Sequence, residues 1–347
     1  MTGWFLRDHD RPPTPENPLW RLVPPPAIAG WADPAHYNAD QPLLDAATAA
    51  IWLGQPLLLT GEPGCGKTEF ANHLAWRLGL SREIGHDPDG SPLVEHALRF
   101  DMKSDTRARD LFYTLDIVER FHAAHFGQAR DEVAALNFIR FQALGRAVLY
   151  ALAPGGDLEA RLHETQPHPG APRRSVVLID EIDKAPRDVP NDLLMEIEQM
   201  RFHMPELNRT VAAPRALRPI LVITSNSERA LPDAFLRRCV FHHMTFPGPE
   251  QLRAIIAQRL DGLKADDDLV KDAVEIFEGA RQLPLRKKPA TAELLGFVQA
   301  LREAGFGADA RVRSHGGWAD IARVTLLKTI EDQGRSLDHL ARAPGRA

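Results

Sequence analysis

Pro56-Leu57-Leu58-Leu59-Thr60-Gly61-Glu62-Pro63-Gly64-Cys65-Gly66-Lys67-Thr68 decides how the rest of the chain is read. Pro56 to Thr60 is a short apolar run bounded by turn residues, which fits a strand covered on both faces. Gly61 to Thr68 then matches G-x-x-x-x-G-K-[ST] without a gap, and Lys67 to about Leu78 reads as a helix. Strand, glycine-rich loop and helix in that order make a phosphate cradle. Glycines let the backbone come close to phosphate oxygens, and N–H groups at the helix start point at them. On this reading Gly61, Glu62, Pro63, Gly64, Cys65, Gly66, Lys67 and Thr68 line a nucleotide's phosphates. Lys67 reaches the β- and γ-phosphates, and Thr68 ligates Mg²⁺.

Further along, Val176-Val177-Leu178-Ile179 runs into Asp180-Glu181. A carboxylate pair just past a buried strand sits at the carboxyl edge of a parallel sheet, beside the loop. Asp180 is placed to hold Mg²⁺ through its water shell, and Glu181 to orient and polarise an attacking water. Asp183 continues the acidic run and is given no chemistry. Thr224-Ser225-Asn226 ends another strand, Ile220 to Ser225, where an amide can hydrogen-bond water or γ-phosphate. Ala234-Phe235-Leu236-Arg237-Arg238-Cys239 leads into a last strand, Cys239 to Phe246. Its arginines read either as a solvated helix end or as a guanidinium donated to a neighbouring subunit's γ-phosphate.

With His96 to Met102, these segments give five strands. Helices over Gln41–Trp52, Lys67–Leu78 and Pro190–Met200 alternate with them, which implies an α/β fold with a parallel sheet between helices. The span 103–174 reads as an insert, with helices over Arg107–His125 and Asn137–Leu152 and an exposed loop over Ala153–Arg174. After Pro247 the pattern is helical throughout. Leu252, Ile255, Ile256 and Leu260 mark one amphipathic face, Leu269, Ala273, Ile276 and Phe277 a second, and Leu294, Leu295, Val298 and Leu301 a third. Trp318 to Ile330 is a fourth helix. A boundary near Pro247 therefore separates 36–247 from 248–347. Residues 1–35 form a proline-rich arm in which Trp4, Phe5, Trp20 and Trp31 pack on the chain's own body or on a neighbouring subunit.

The 347 residues suit about two domains, and 26% charged residues with 44% apolar ones is globular composition. A net charge of −5 advertises no global basic field, so nucleic acid is an unlikely partner on charge alone. Two cysteines, Cys65 and Cys239, make no disulfide framework. The first residues carry no apolar leader core, and no apolar run reaches the ~18 residues of a membrane helix. A soluble cytoplasmic protein is the expectation. Cys65 lies beside Lys67 at a helix start, where thiol chemistry is conceivable. His242 and His243 are adjacent in a strand, so their rings point apart and do not make a metal site.

Lys67, Asp180-Glu181, Asn226 and Arg237-Arg238 follow the order Walker A, Walker B, sensor 1, arginine finger, and in this the chain resembles AAA+ ATPases. The wording resembles the MoxR-like family in particular. Pro56 to Gly64 resembles its approach to the phosphate loop. Asp180-Glu181-Ile182-Asp183-Lys184-Ala185-Pro186 with Pro190-Asn191-Asp192-Leu193-Leu194 resembles its Walker B and the next helix. Arg286-Lys287-Lys288-Pro289-Ala290-Thr291-Ala292-Glu293-Leu294-Leu295 resembles the start of its sensor 2 helix. The likeness covers about 36–305. It implies an AAA+ P-loop core with a C-terminal helical lid, a hairpin over Arg201 to Val211, ATP with Mg²⁺, and a ring that is a hexamer. It also implies catalytic roles for Glu181, Asn226 and one of Arg237 and Arg238, of which Arg238 is favoured for directly preceding the strand. Many relatives carry an arginine where this chain has Ala290. Lys287 or Lys288 is left to stand in, and a lysine lacks the arginine fork.

Three functions follow from these expectations. The first is an ATP-hydrolysing machine that remodels or activates a protein partner. MoxR-like ATPases act with a von Willebrand factor A protein, and no Asp-x-Ser-x-Ser motif occurs here, so that partner is a separate chain. The second is a nucleic-acid motor or loader. The third is a nucleotide-gated scaffold with little turnover, against which Glu181 and the arginine pair argue.

Overall fold

A computed structural model of the chain describes residues 33–86, 90, 92–116, 138–159, 162 and 167–334. The expectations for Trp4, Phe5, Trp20 and Trp31 lie outside these residues. Contacts divide the chain into two units. One holds 39–62 and 67–244; the other holds 63–66, the described part of the N-terminal segment up to Asn38, and the C-terminal helices from Thr245.

The first unit opens with α1 (Gln41–Leu53). The Asp40 carboxylate accepts Leu43 N at 3.0 Å, Pro42 stands in the first turn, and Gly54 ends the helix in the left-handed region at φ 65°. β1 (Leu57–Gly61), α2 (Lys67–Arg77), the hairpin β2 (Arg82–His86) and β3 (Pro92–Glu95), and β4 (Leu98–Asp101) follow. Next come β5 (Tyr113–Leu115), β6 (Ile139–Phe141), α3 (Ala143–Tyr150), β7 (Val176–Asp180) and α4 (Val189–Gln199). The hairpin β8 (Arg201–Met204) and β9 (Arg209–Ala212), then β10 (Ile220–Ser225), the short α5 (Asp233–Leu236) and β11 (Val240–Met244) complete it.

Five of these strands form one parallel sheet in the order β11-β1-β10-β7-β4. β1, β7 and β10 are buried along their whole length, as continuous apolar strands in a sheet covered on both faces must be. Each fully buried leucine of β1 contributes about 1.5–3 kcal/mol. Register places Thr60 opposite Ser225, Ile223 opposite Ile179, and Asp101 opposite Asp180. The carboxyl ends of β1, β10, β7 and β4 therefore share one edge, where an open parallel sheet takes its ligands.

The insert departs from expectation. In place of a helix from Arg107, the chain makes a 3-10 turn at Ala108–Leu111 and then β5, and the rest of that segment up to His125 passes out of the described residues at 117. The expected helix over Asn137–Leu152 starts only at Ala143, because Ile139–Phe141 pairs antiparallel with β5 as β6. The cause is aromatic packing. Phe112 stacks on Phe202 of β8 at 5.0 Å, with Tyr113 and Phe141 at 6.0 and 6.3 Å from the same ring. Tyr113 further donates to Glu206 at 2.8 Å. These contacts fix an extended backbone that local periodicity does not reveal.

The second unit is built on α6 (Pro249–Arg259), α7 (Asp268–Gln282), α8 (Thr291–Glu303), α9 (Trp318–Leu326) and α10 (Ile330–Gln333). Leu252, Ile256, Leu269, Phe277, Phe297 and Trp318 lie in its core. The expected single helix from Trp318 to Ile330 is two. Thr329 caps α10 by accepting Asp332 N at 3.1 Å, which breaks the run after Leu326. Asp332, 1% exposed, accepts Arg286 N at 3.0 Å and Lys287 N at 3.2 Å, and so ties down the segment before α8.

Candidate functional site

The loop after β1 takes its shape from glycines in backbone regions that other residues rarely adopt: Gly61 at φ 145°, Gly64 at 79° and Gly66 at 96°. Space demands glycine as well. A Cβ on Gly64 would come within 2.3 Å of the Ala290 Cβ, and one on Gly66 within 3.2 Å of the Tyr37 ring. Thr291 Oγ1 donates to Gly64 O at 2.8 Å. Cys65 is buried. Lys67 is 6% exposed, and its ammonium donates to Gly61 O at 2.7 Å and Glu62 O at 3.0 Å, held within the loop itself.

The carboxylates meet this loop at the sheet edge. Thr68 Oγ1 lies 3.2 Å from both oxygens of Asp180. Asp180 Oδ1 also accepts Thr224 Oγ1 at 2.5 Å, and Oδ2 pairs with Arg99 Nη2 at 2.9 Å. The same Thr224 hydroxyl accepts Glu181 N at 2.9 Å, so one β10 side chain orients both acidic residues. Glu181 sits in the left-handed region at φ 58°, a conformation costing a non-glycine residue about 1 kcal/mol or more. Its Oε1 accepts Asn226 Nδ2 at 3.1 Å, and its Oε2 pairs with Lys184 at 2.5 Å. That hydrogen bond to Glu181, reinforced by the surrounding carboxylates, raises the Lys184 pKa against a small desolvation.

Asp183, given no chemistry from sequence, is 4% exposed and accepts Asn226 N at 3.3 Å and Glu228 N at 2.9 Å. Thr224 and Arg99 also escaped the motif reading. Thr224 could have been noticed as the first hydroxyl in an otherwise apolar strand. Arg99 could have been noticed as a cation two residues before Asp101 in a strand. Desolvation lowers the Arg99 pKa, but the hydrogen bond to Asp101 and the charges of Asp180, Asp101 and Glu181 outweigh it and leave it raised.

Arg238 Nε pairs with Glu198 Oε1 at 2.5 Å and Nη1 donates to Ala234 O at 3.1 Å. Arg237 is exposed, with no side-chain hydrogen bond among the described residues. Lys287 and Lys288 are both exposed. His243 Nδ1 lies 3.0 Å from Thr60 Oγ1, while His242 faces the other side of β11. Among the described residues no group of three His, Cys, Asp or Glu side chains could hold a metal, and no helix is long and apolar enough to cross a membrane.

The donor set fits a magnesium nucleotide. A hydroxyl and a carboxylate are the hard oxygen ligands Mg²⁺ takes, and a loop opened by glycines beside a buried lysine suits phosphates. A five-stranded parallel sheet with this loop on β1 and a carboxylate ending β7, the next strand but one, defines a P-loop nucleotide-binding protein. Residues 56–239 match the family described as AAA domain (dynein-related subfamily), and the chain belongs to that family. No curated protein matches the chain. It is thus an AAA+ nucleotide-binding protein, with a P-loop core followed by C-terminal helices.

Proposed function

We propose that the chain is an Mg²⁺-dependent ATPase of the MoxR-like kind, which uses ATP hydrolysis to remodel or activate a protein partner. The observation that carries this is the hydrogen bond from Asn226 Nδ2 to Glu181 Oε1 at 3.1 Å, with Asp180 facing Thr68. It joins a carboxylate that can polarise water to an amide that can report on γ-phosphate. A scaffold that merely binds nucleotide has no use for that pair.

In this reading Gly61 to Thr68 wrap the phosphates, and Lys67 leaves its loop carbonyls for the β- and γ-phosphates. Thr68 and Asp180 hold Mg²⁺. The metal, when bound, neutralises charge on the phosphate oxygens. Glu181 accepts the proton of the attacking water, and Asn226 keeps that carboxylate aimed. Arg237 or Arg238 is the finger offered to the next subunit's nucleotide in a homo-oligomeric ring, a hexamer. Both arginines are exposed, and Arg238 has first to leave Glu198. Lys288 or Lys287 takes the sensor 2 place that Ala290 leaves without a guanidinium. The chain divides into an arm (1–35), a core (36–247) and a lid (248–347). A separate von Willebrand factor A protein is the partner that presents the target, and two cysteines outside any disulfide fit the cytoplasm.

Two substitutions test the chemistry. Lys67→Ala loses nucleotide binding, because the phosphates lose their fixed cation. Glu181→Gln binds ATP and loses most turnover, since a carboxamide cannot take the proton. Equilibrium binding of a fluorescent ATP analogue and phosphate release read the two effects. Normal turnover in Glu181→Gln would overturn the assignment.

A further inference from the structure

Arg99 belongs to none of the motifs that define the site. It stands on β4, the outer strand of the sheet, opposite Leu178, with Asp101 two residues on and opposite Asp180. Its Nη2 lies 2.6 Å from Asp101 Oδ1 and 2.9 Å from Asp180 Oδ2, and its Nε donates to Asp101 Oδ1 at 2.8 Å. The two carboxylates differ in surroundings. The Asp180 side chain is 6% exposed, that of Asp101 55%. A buried carboxylate needs hydrogen-bond donors or a compensating charge. Among the described residues, Arg99 is the cationic side chain within ion-pair distance of Asp180.

We propose that Arg99 is a tethered counter-cation for Asp180, which gives way to Mg²⁺ when nucleotide arrives and is then retained by Asp101. The proposal rests on the reading that Thr68 and Asp180 hold the metal. Arg99 Nη2 occupies Asp180 Oδ2, an oxygen that Thr68 Oγ1 also reaches at 3.2 Å. A guanidinium and a divalent cation at one carboxylate repel each other. The guanidinium cannot relieve this by losing a proton, because it stays charged at any ordinary pH. It has to move. Arg99 is 52% exposed, so it has room to do so, and Asp101 already accepts both Nε and Nη2. Thr224, bonded to Oδ1, keeps Asp180 oriented through the exchange. Arg99 is a positioning residue here: it compensates Asp180 and sets how much Mg²⁺ is needed to bind nucleotide.

The two partners of the exchange make predictions of opposite sign. In Arg99→Ala the competitor for Asp180 is gone, and the Mg²⁺ midpoint for nucleotide binding falls. In Asp101→Asn the guanidinium loses its alternative carboxylate, clings to Asp180, and the midpoint rises. Each shift is about two- to fivefold, the size a half-exposed, screened pair supports. The measurement is a Mg²⁺ titration of a fluorescent non-hydrolysable ATP analogue bound to the full chain. A second readout needs no nucleotide: Mg²⁺ alone raises the melting temperature of Arg99→Ala more than that of the unaltered chain. An unchanged or raised midpoint in Arg99→Ala overturns the exchange, and a raised one makes Arg99 a contact of the bound nucleotide instead. If Arg99→Ala fails to fold, Asp101→Asn decides, and an unchanged or lowered midpoint overturns the proposal. If the unaltered chain binds the analogue with no dependence on Mg²⁺, the Thr68–Asp180 reading falls and takes this proposal with it. Mg²⁺ dependence in the unaltered chain, with neither variant shifted, removes the exchange alone.

Discussion

Asp183 accepts Asn226 N at 3.3 Å and Glu228 N at 2.9 Å from a site 4% exposed. A buried carboxylate bonded to two backbone donors holds the turn after β10 in one conformation, and that turn carries Asn226. Asp183→Ala leaves both N–H groups without their partner, at a cost of about 1–3 kcal/mol. Its second effect falls on Asn226, which is no longer held against Glu181. The expected outcome is a lower urea midpoint together with slowed turnover at nearly unchanged ATP affinity. Loss of stability with turnover intact would make Asp183 purely a structural anchor. This residue also marks where the sequence stops being readable. Lys67, Thr68, Asp180 and Glu181 could be singled out because each stands in a local pattern, G-x-x-x-x-G-K-[ST] or a carboxylate pair closing an apolar strand. Thr224 and Arg99 bond Asp180 across the sheet and Asp183 bonds the turn after β10, and the strand register that brings these groups together has no signature in one linear sequence.

At the scale of elements, β1, β7 and β10 were legible as short apolar runs, and β4 and β11 as short segments in which apolar residues alternate or mix with charged residues and histidines. All were placed within about two residues of their observed ends, the usual boundary error. The first three helices after Pro247 were legible from their 3.6-residue period, whereas α9 and α10 read as one. β5 and β6 were not, because three-residue strands carry too little pattern to outweigh a neighbouring helix. What sets them is the cluster around Phe202, a residue of the β8–β9 hairpin about sixty residues beyond β6. Phe202→Ala should therefore cost about 3–5 kcal/mol, the range for deleting a buried aromatic ring. It should also loosen β5 and β6 before the main sheet. Hydrogen exchange resolved by residue tests this: faster exchange confined to 201–212 would show that β5 and β6 hold without the ring.

At the scale of the whole molecule, a finger that serves the neighbouring subunit predicts that two inactive proteins restore each other. Arg238→Ala keeps its Lys67 pocket, and Lys67→Ala keeps its Arg238. In a mixed oligomer one type of interface joins an intact pocket to an intact guanidinium, whose contribution in better-studied nucleotide hydrolases is about 10³ to 10⁵ in rate. Mixing should recover measurable phosphate release once light scattering shows that mixed oligomers form. Arg237→Ala, run in parallel, decides which arginine serves. If mixed oligomers form and neither arginine variant recovers activity, the site is complete within one subunit.

The order β11-β1-β10-β7-β4 has a further consequence, for how this chain is born. β1 is the first sheet strand to be synthesised, yet both of its neighbours come from the far end of the sheet sequence. The nearer, β10, starts at Ile220, about 160 residues after β1 ends. At a ribosome's pace of about 5–20 residues per second, Leu57-Leu58-Leu59 waits on the order of ten to thirty seconds before its first neighbour exists. Throughout that interval the most apolar stretch of the phosphate loop's own strand is an unpaired edge in a crowded cell, open to other chains. The nucleotide site is the first motif translated and among the last to close, so the newborn protein depends on whatever shelters β1 in the meantime.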